Sequence, residues 1–146
     1  MRPILYAMQF RGTAVPVTDG VLRAETTAPG TRLVTTVGSV GVTTVLEPLD
    51  GEEALFESEV AFADESGFQE TGTIRFGRGN MLRFRTIGAG HLGGSPDPHL
   101  KHGSVMWEVE GGEGQFAGAS GRINSNFFVS DTGEVTDNHF GVIWVA

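Results

Sequence analysis

The sequence predicts an all-β chain folded as a closed antiparallel up-and-down barrel of about eight strands. Three observations predict it. Apolar and polar residues alternate with period two along most of the chain, and no stretch long enough for a helix shows i, i+3, i+4 apolar spacing free of Gly, Pro and β-branched crowding. Gly is abundant, 22 of 146 residues, with no Gly-X-Y period, so it punctuates turns. The connections are short and leave no room for crossover helices, and closing such a sheet removes the edges that invite aggregation.

Taken in order, the candidate strands are Ile4 to Val15, Val21 to Thr27, Arg32 to Val37, Val40 to Leu46, Ala54 to Ala63, Gln69 to Phe76, Met81 to Ile87, Ser104 to Glu110, Gly121 to Ser130 and Val135 to Val145. Turn chemistry lies between them at Thr18-Asp19-Gly20, Ala28-Pro29-Gly30, Leu49-Asp50-Gly51, Glu65-Ser66-Gly67, Gly77-Arg78-Gly79-Asn80 and Asp131-Thr132-Gly133. Sequential antiparallel pairing follows. The echo of Val34-Thr35-Thr36-Val37 in Val42-Thr43-Thr44-Val45 reads as two similar strands, since it lacks the period of a repeat protein.

Parity assigns the faces. Glu70, Gly72, Ile74 and Phe76 share one face, as do Leu82, Phe84 and Thr86, and these point inward. Phe56, Val60 and Phe62 define a core face, which sends Glu57 and Glu59 to solvent. Val105, Trp107 and Val109 form another apolar row. The last strand is apolar on both faces, with Phe140, Val142 and Trp144 read as inward and Ile143 and Val145 as outward. An outward apolar stripe needs a cover, which predicts a homo-oligomer.

Composition narrows the function classes. With 39% hydrophobic residues the 146-residue chain makes a single domain, 1–146, able to hold a core without staples. It has 0 Cys, which excludes disulfides, thiolate metal sites and a cysteine nucleophile. The net charge of -8 disfavours nucleic acid and anionic membrane as partners. The apolar runs at Ile4 to Met8 and Val142 to Ala146 are too short for a secretory or membrane-spanning segment, so a cytoplasmic protein is expected.

The densest motif is Gly111-Gly112-Glu113-Gly114-Gln115-Phe116-Ala117-Gly118-Ala119-Ser120-Gly121-Arg122-Ile123. Its glycines fit a dinucleotide fingerprint only without the helix that such a fingerprint opens, and Gly118-Ala119-Ser120-Gly121 falls one residue short of a nucleophile elbow. Small residues here suit a tight barrel corner, with Phe116 plugging one end. A Gly-Gly-x-Gly-x-Phe-x-Gly-Ala-x-Gly segment entering a late strand resembles the allene oxide cyclase and dirigent proteins and related bacterial calycin-like barrels. The resemblance covers Gly111 to Ile123 specifically, and the strand order from Ala54 to Val145 more loosely. It implies an eight-stranded barrel around a hydrophobic cavity, often assembled as an oligomer. No catalytic residue of these families carries over to this chain.

Candidate chemistry is sparse. Gly88 to His102 reads as a long loop over the barrel mouth, and long loops are usually lids or binding segments. Within it His99 and His102, with Asp97, have spacing compatible with a metal, but isolated His in a Gly/Pro loop commonly bind none, so no metal is expected. His102 is better placed as a general acid or base where the lid returns to the strand of Trp107. Asn124-Ser125-Asn126 and Asp137-Asn138-His139 fall in adjacent strands as a polar patch beside Phe127, Phe128 and Phe140, where apolar residues on both faces leave the inward face undecided; facing the cavity, Asn126 and His139 would orient a ligand carbonyl or hydroxyl, with Glu70 or Arg85 supplying charge deeper in the barrel. Glu70 shares parity with core residues, so desolvation raises its pKa. The expectation is a small-molecule barrel: a cofactor-independent isomerase or cyclase with Glu70, His139 and His102 catalytic and Trp107, Asn126, Arg85, Phe84, Phe127 and Phe140 lining the cavity. A carrier of a small hydrophobic ligand and a structural oligomer are the alternatives. Glu70→Gln and His139→Ala are expected to weaken turnover or binding at nearly unchanged melting temperature.

Overall fold

A computed structural model describes all residues, Met1 to Ala146. The strands are β1 (Arg2–Thr18), β2 (Val21–Gly38), β3 (Gly41–Phe62), β4 (Gly67–Phe76), β5 (Met81–Thr86), β6 (Gly90–Gly94), β7 (Leu100–Glu113), β8 (Ser120–Ser130) and β9 (Glu134–Val145), with one 3-10 turn at Gly114–Phe116. All pair antiparallel, in the order β3-β2-β1-β9-β8-β7-β5-β4-β6, and pairings β3–β4 and β7–β6 close the sheet into a ring. No helix is long and apolar enough to cross a membrane.

β5 and β6 share one slot of the ring. β5 pairs with Thr71–Arg75 of β4 and with β7 from Trp107 onward, whereas β6 pairs with Gly67 and Phe68 of β4 and with Lys101–Ser104 of β7. Gly88, at φ 70°, turns the chain between them. The segment expected to be a lid over Gly88 to His102 is therefore mostly sheet, because β6 hydrogen-bonds to both neighbours. Only Ser95 to His99 turns at the mouth, held by the Ser95 hydroxyl on the Asp97 and Leu100 carbonyls.

Four expected strands merge into two. Ala28-Pro29-Gly30 and Leu49-Asp50-Gly51 lie opposite each other inside the β2–β3 ladder and do not reverse the chain. Between the pairs Ala28↔Ala54 and Gly30↔Leu49, β2 advances two residues and β3 five, so the extra residues of β3 are accommodated as a bulge. Beyond it, Gly30–Gly38 and Gly41–Leu49 project from the ring as a two-stranded arm.

One end of the ring is filled. Phe84 and Trp107 pack with ring centres 4.4 Å apart, Phe56 stacks on Phe84 at 5.3 Å, and Phe116 covers Phe76 at 5.2 Å. Phe116 is buried as a plug. Behind it Gly121 approaches β9 so closely that a Cβ would collide with the Val142 carbonyl oxygen, and its φ of 145° suits glycine. The small residues of that segment thus make the barrel corner.

Parity in β9 differs from expectation. Ile143 and Val145 are each 1% exposed and belong to the core, while Phe140 at 56% and Trp144 at 42% face outward. Two apolar faces gave hydrophobicity nothing to decide on. The inward face is set by Asp137 and His139, which satisfy one another inside the ring.

Candidate functional site

The other end of the ring holds a cavity of about 310 Å3, at the small end of the range typical for ligand pockets. Its wall is apolar: Leu22 and Ala24 from β2, Val60 and Phe62 from β3, Phe68 from β4 and Phe127 from β8. Its rim carries Lys101, Ser130 and Asp131. At the mouth His99 Nδ1 meets Asp131 Oδ2 at 3.3 Å, an exposed contact between two turns that contributes little to stability.

Polar groups gather at depth. Ser58 Oγ donates to Glu70 Oε2 at 2.6 Å, and Ser125 Oγ donates to Asp137 Oδ1 at 2.6 Å. His139 Nε2 lies 2.8 Å from Asp137 Oδ2, and its Nδ1 lies 2.8 Å from the Tyr6 hydroxyl. Asp137 accepts and Tyr6 can donate, so a neutral His139 carries its proton on Nε2 and accepts from Tyr6 on Nδ1. Tyr6, His139, Asp137 and Ser125 thus form one directed chain. Burial, followed by the nearby charge of Asp137, pushes the Tyr6 phenol well above its ordinary pKa and keeps it a donor.

Glu70 is the most perturbed group that borders the cavity. Burial raises its pKa from 4.5 to about 8, and Asp137 adds to the rise. The Ser58 hydroxyl opposes it, as does the Trp107 indole N–H more weakly. That N–H makes no hydrogen bond of ordinary geometry and remains unpartnered, so its hold on the carboxyl is slight. Glu70 is therefore a neutral acid at physiological pH, facing the same cavity as Asp137. The Thr26 hydroxyl, 2% exposed and also lining the cavity, has no protein partner. Leaving such a group unpaired costs about 1–3 kcal/mol, and a polar atom of a bound molecule would offset it.

The structure brings five of the sequence-predicted residues inside and leaves four outside. Glu70 and Phe127 line the cavity; His139, Trp107 and Phe84 are buried in the layer beneath it. Trp107 and His139 meet edge to face at 5.0 Å. His102, Asn126, Arg85 and Phe140 lie on the outer surface. His102 Nε2 meets Asn126 Oδ1 at 2.6 Å there, and the His102 ring lies over Phe128. Asn126 faces out because Ser125 and Phe127 on either side face in. Arg85 extends into solvent and pairs with Glu108 at 3.1 Å and Glu110 at 2.9 Å. No group of three or more His, Asp or Glu side chains is placed to hold a metal ion. His99 and His102 bond to different partners, Asp131 and Asn126.

Tyr6, Thr26 and Ser58 were missed from sequence as members of the site, and Ser125 and Asp137 were placed in the polar patch without a role. A signal was present. Ser58 interrupts the row Phe56, Val60, Phe62; Thr26 sits between Ala24 and Ala28; Ser125 sits between Ile123 and Phe127. A lone polar residue in an inward apolar row marks a buried hydrogen bond, and several at similar depth mark a polar floor. Compared with protein-family models, curated proteins and solved structures, the chain matches none.

Proposed function

We propose that this barrel-like protein binds a small hydrophobic molecule in its cavity and isomerises or cyclises it by proton transfer, without a cofactor. The observation that carries the reading is a carboxyl, Glu70, buried against the apolar cavity with Ser58 donating to it, in the cavity shared with the hydrogen-bonded Asp137; burial raises its pKa. A general acid works best when its pKa lies near the operating pH. Glu70 delivers a proton to one atom of the substrate and its carboxylate then withdraws a proton from another. The substrate is rearranged with no net gain or loss, and the protein returns to its starting state. Asp137, held by Ser125 and His139, offers fixed negative charge to a cationic intermediate, and the apolar wall excludes water and holds the substrate in a reactive shape. The polar rim at Lys101 and Ser130 suits a substrate with one polar end. The likeness of the Gly111 to Ile123 segment to allene oxide cyclase and dirigent proteins agrees with a barrel around a ligand cavity and carries no reaction over. The reading also includes a homo-oligomer, whose apolar contacts would be Leu5, Phe140 and Trp144 and not Ile143 and Val145.

The test is affinity capture from a hydrophobic metabolite extract, followed by mass spectrometry of the bound and released compounds. Wild-type protein is expected to release a rearranged compound of unchanged mass, while Glu70→Gln retains the starting compound. Ala24→Leu, which fills the cavity, is expected to retain neither and still fold. Identical unchanged compounds on wild type and Glu70→Gln would make the protein a carrier. Equal capture by Ala24→Leu would contradict binding in the cavity.

A further inference from the structure

The β2–β3 arm is the part of the chain least explained by the barrel. From Leu33 to Leu46 it has no charged residue, and its one ion pair, Arg32 to Glu47 at 3.6 Å, lies at its base. Leu33, Thr35 and Val37 with their partners Val42, Thr44 and Leu46 make one face; Val34 and Thr36 with Thr43 and Val45 make the other. Both faces are in water, with Val37 and Val40 each 87% exposed. Both edges are unpaired, since Gly30–Gly38 and Gly41–Leu49 pair only with each other. An isolated two-stranded hairpin of this kind is marginal in water and invites a partner.

A matching vacancy in strand pairing exists on the same chain. β1 pairs with β2 only from Arg11 to Thr18, so Arg2–Phe10 has a strand partner on the β9 side alone. Continuing the Arg11↔Thr27 register past Phe10 would set Leu5 opposite Leu33, but β2 leaves the ring at Ala28–Gly30 and never reaches that edge. Beside this edge the outer wall presents large apolar side chains, next to Glu108, Arg122 and Asn124 of β7 and β8. Leu5 is 76% exposed, and Phe140 and Trp144 border a groove on β9.

We propose that the arm docks on a second copy of this chain, lying along the free Arg2–Phe10 edge of β1 and the adjoining outer wall of β9. Each chain has one arm and one receiving edge, so a single two-fold axis satisfies both and closes the assembly as a dimer. The arm presents about twenty residues, the number that one side of a stable interface of standard size contributes. Paired edges satisfy backbone groups in both copies, and the apolar faces give the contact its driving force. The arm and the Arg2–Phe10 edge share no residue with the cavity.

Light scattering over a range of concentrations and cross-linking test it together. The wild type is expected to have the mass of two chains. Val37→Lys combined with Val42→Glu keeps the cross-strand pair but charges the arm, and it is expected to give the mass of one chain with an unchanged β-sheet circular dichroism spectrum. The chain has no Cys of its own, so Leu5→Cys and Leu33→Cys chains of different tag length can be mixed and oxidised; a disulfide-linked heterodimer is expected. A monomeric wild type, a charged variant that stays dimeric, or absence of the cross-link in a folded mixture would overturn the proposal. So would a monomer whose arm inserts into phosphatidylcholine vesicles.

Discussion

Glu70→Gln is expected to raise the melting temperature of the protein at pH 9 and to flatten the fall in stability that the wild type shows between pH 5 and pH 9. The carboxyl has a pKa of about 8 in the folded chain against an ordinary 4.5, so the folded state holds its proton more tightly. Its contribution to stability is fully present below about pH 4.5 and is lost as pH rises toward 8. The whole window corresponds to on the order of 5 kcal/mol, which for a chain of this size is roughly 10 °C or more. A neutral amide removes that term, and its oxygen still accepts from Ser58. Thermal unfolding of both proteins across the pH range checks this. An equally steep fall in Glu70→Gln would place the source in another group.

His139→Ala is expected to destabilise the fold by about 3–5 kcal/mol, because it strips a buried carboxylate of its partner and leaves a hole beneath it. Asp137 Oδ2 loses the Nε2 donor and Tyr6 loses its acceptor. The imidazole also packs 4.6 Å from Phe10 and 5.0 Å from Trp107, so its removal opens space in the aromatic layer. Urea unfolding measures the effect as a shifted midpoint. The sequence alone led to an expected melting temperature nearly unchanged; the placement of His139 at 3% exposure within a hydrogen-bonded chain predicts a fall instead. Ligand binding is therefore better probed through Glu70, whose replacement by Gln preserves shape.

The closed antiparallel sheet was legible in the sequence because alternation and turn residues act locally and agree along the chain. Glu70, Trp107 and Phe84 were placed inside by parity with apolar neighbours, whereas parity left the inward face of β8 around Asn124 to Phe128 undecided. Parity failed where both faces of a strand are apolar, as at Phe140 to Val145, and it left open the face of Asp137, whose burial depends on Ser125 of β8 and His139 of its own strand. Arg85 alternates with Phe84, and its outward course follows from that parity alone. Two Pro/Gly or Asp/Gly clusters, at Ala28 to Gly30 and Leu49 to Gly51, carry the same residues whether they reverse the chain or bulge within a ladder. Only the long-range pairing of β2 with β3 decides between the two, and the arm was invisible for that reason. Likewise Gly88 to His102 has loop composition, but β6 forms because β5 stops at Thr86 and leaves the upper part of its slot to be paired.

Proton transfer in the cavity requires a neutral Glu70 carboxyl, and carbon-13 NMR titration of that side chain measures its protonation directly. The signal is assigned by its loss in Glu70→Gln. A midpoint near pH 8, in the folded protein, is the predicted result; a midpoint near the ordinary 4.5 would mean that Glu70 is ionised at physiological pH and would contradict its role as the proton donor.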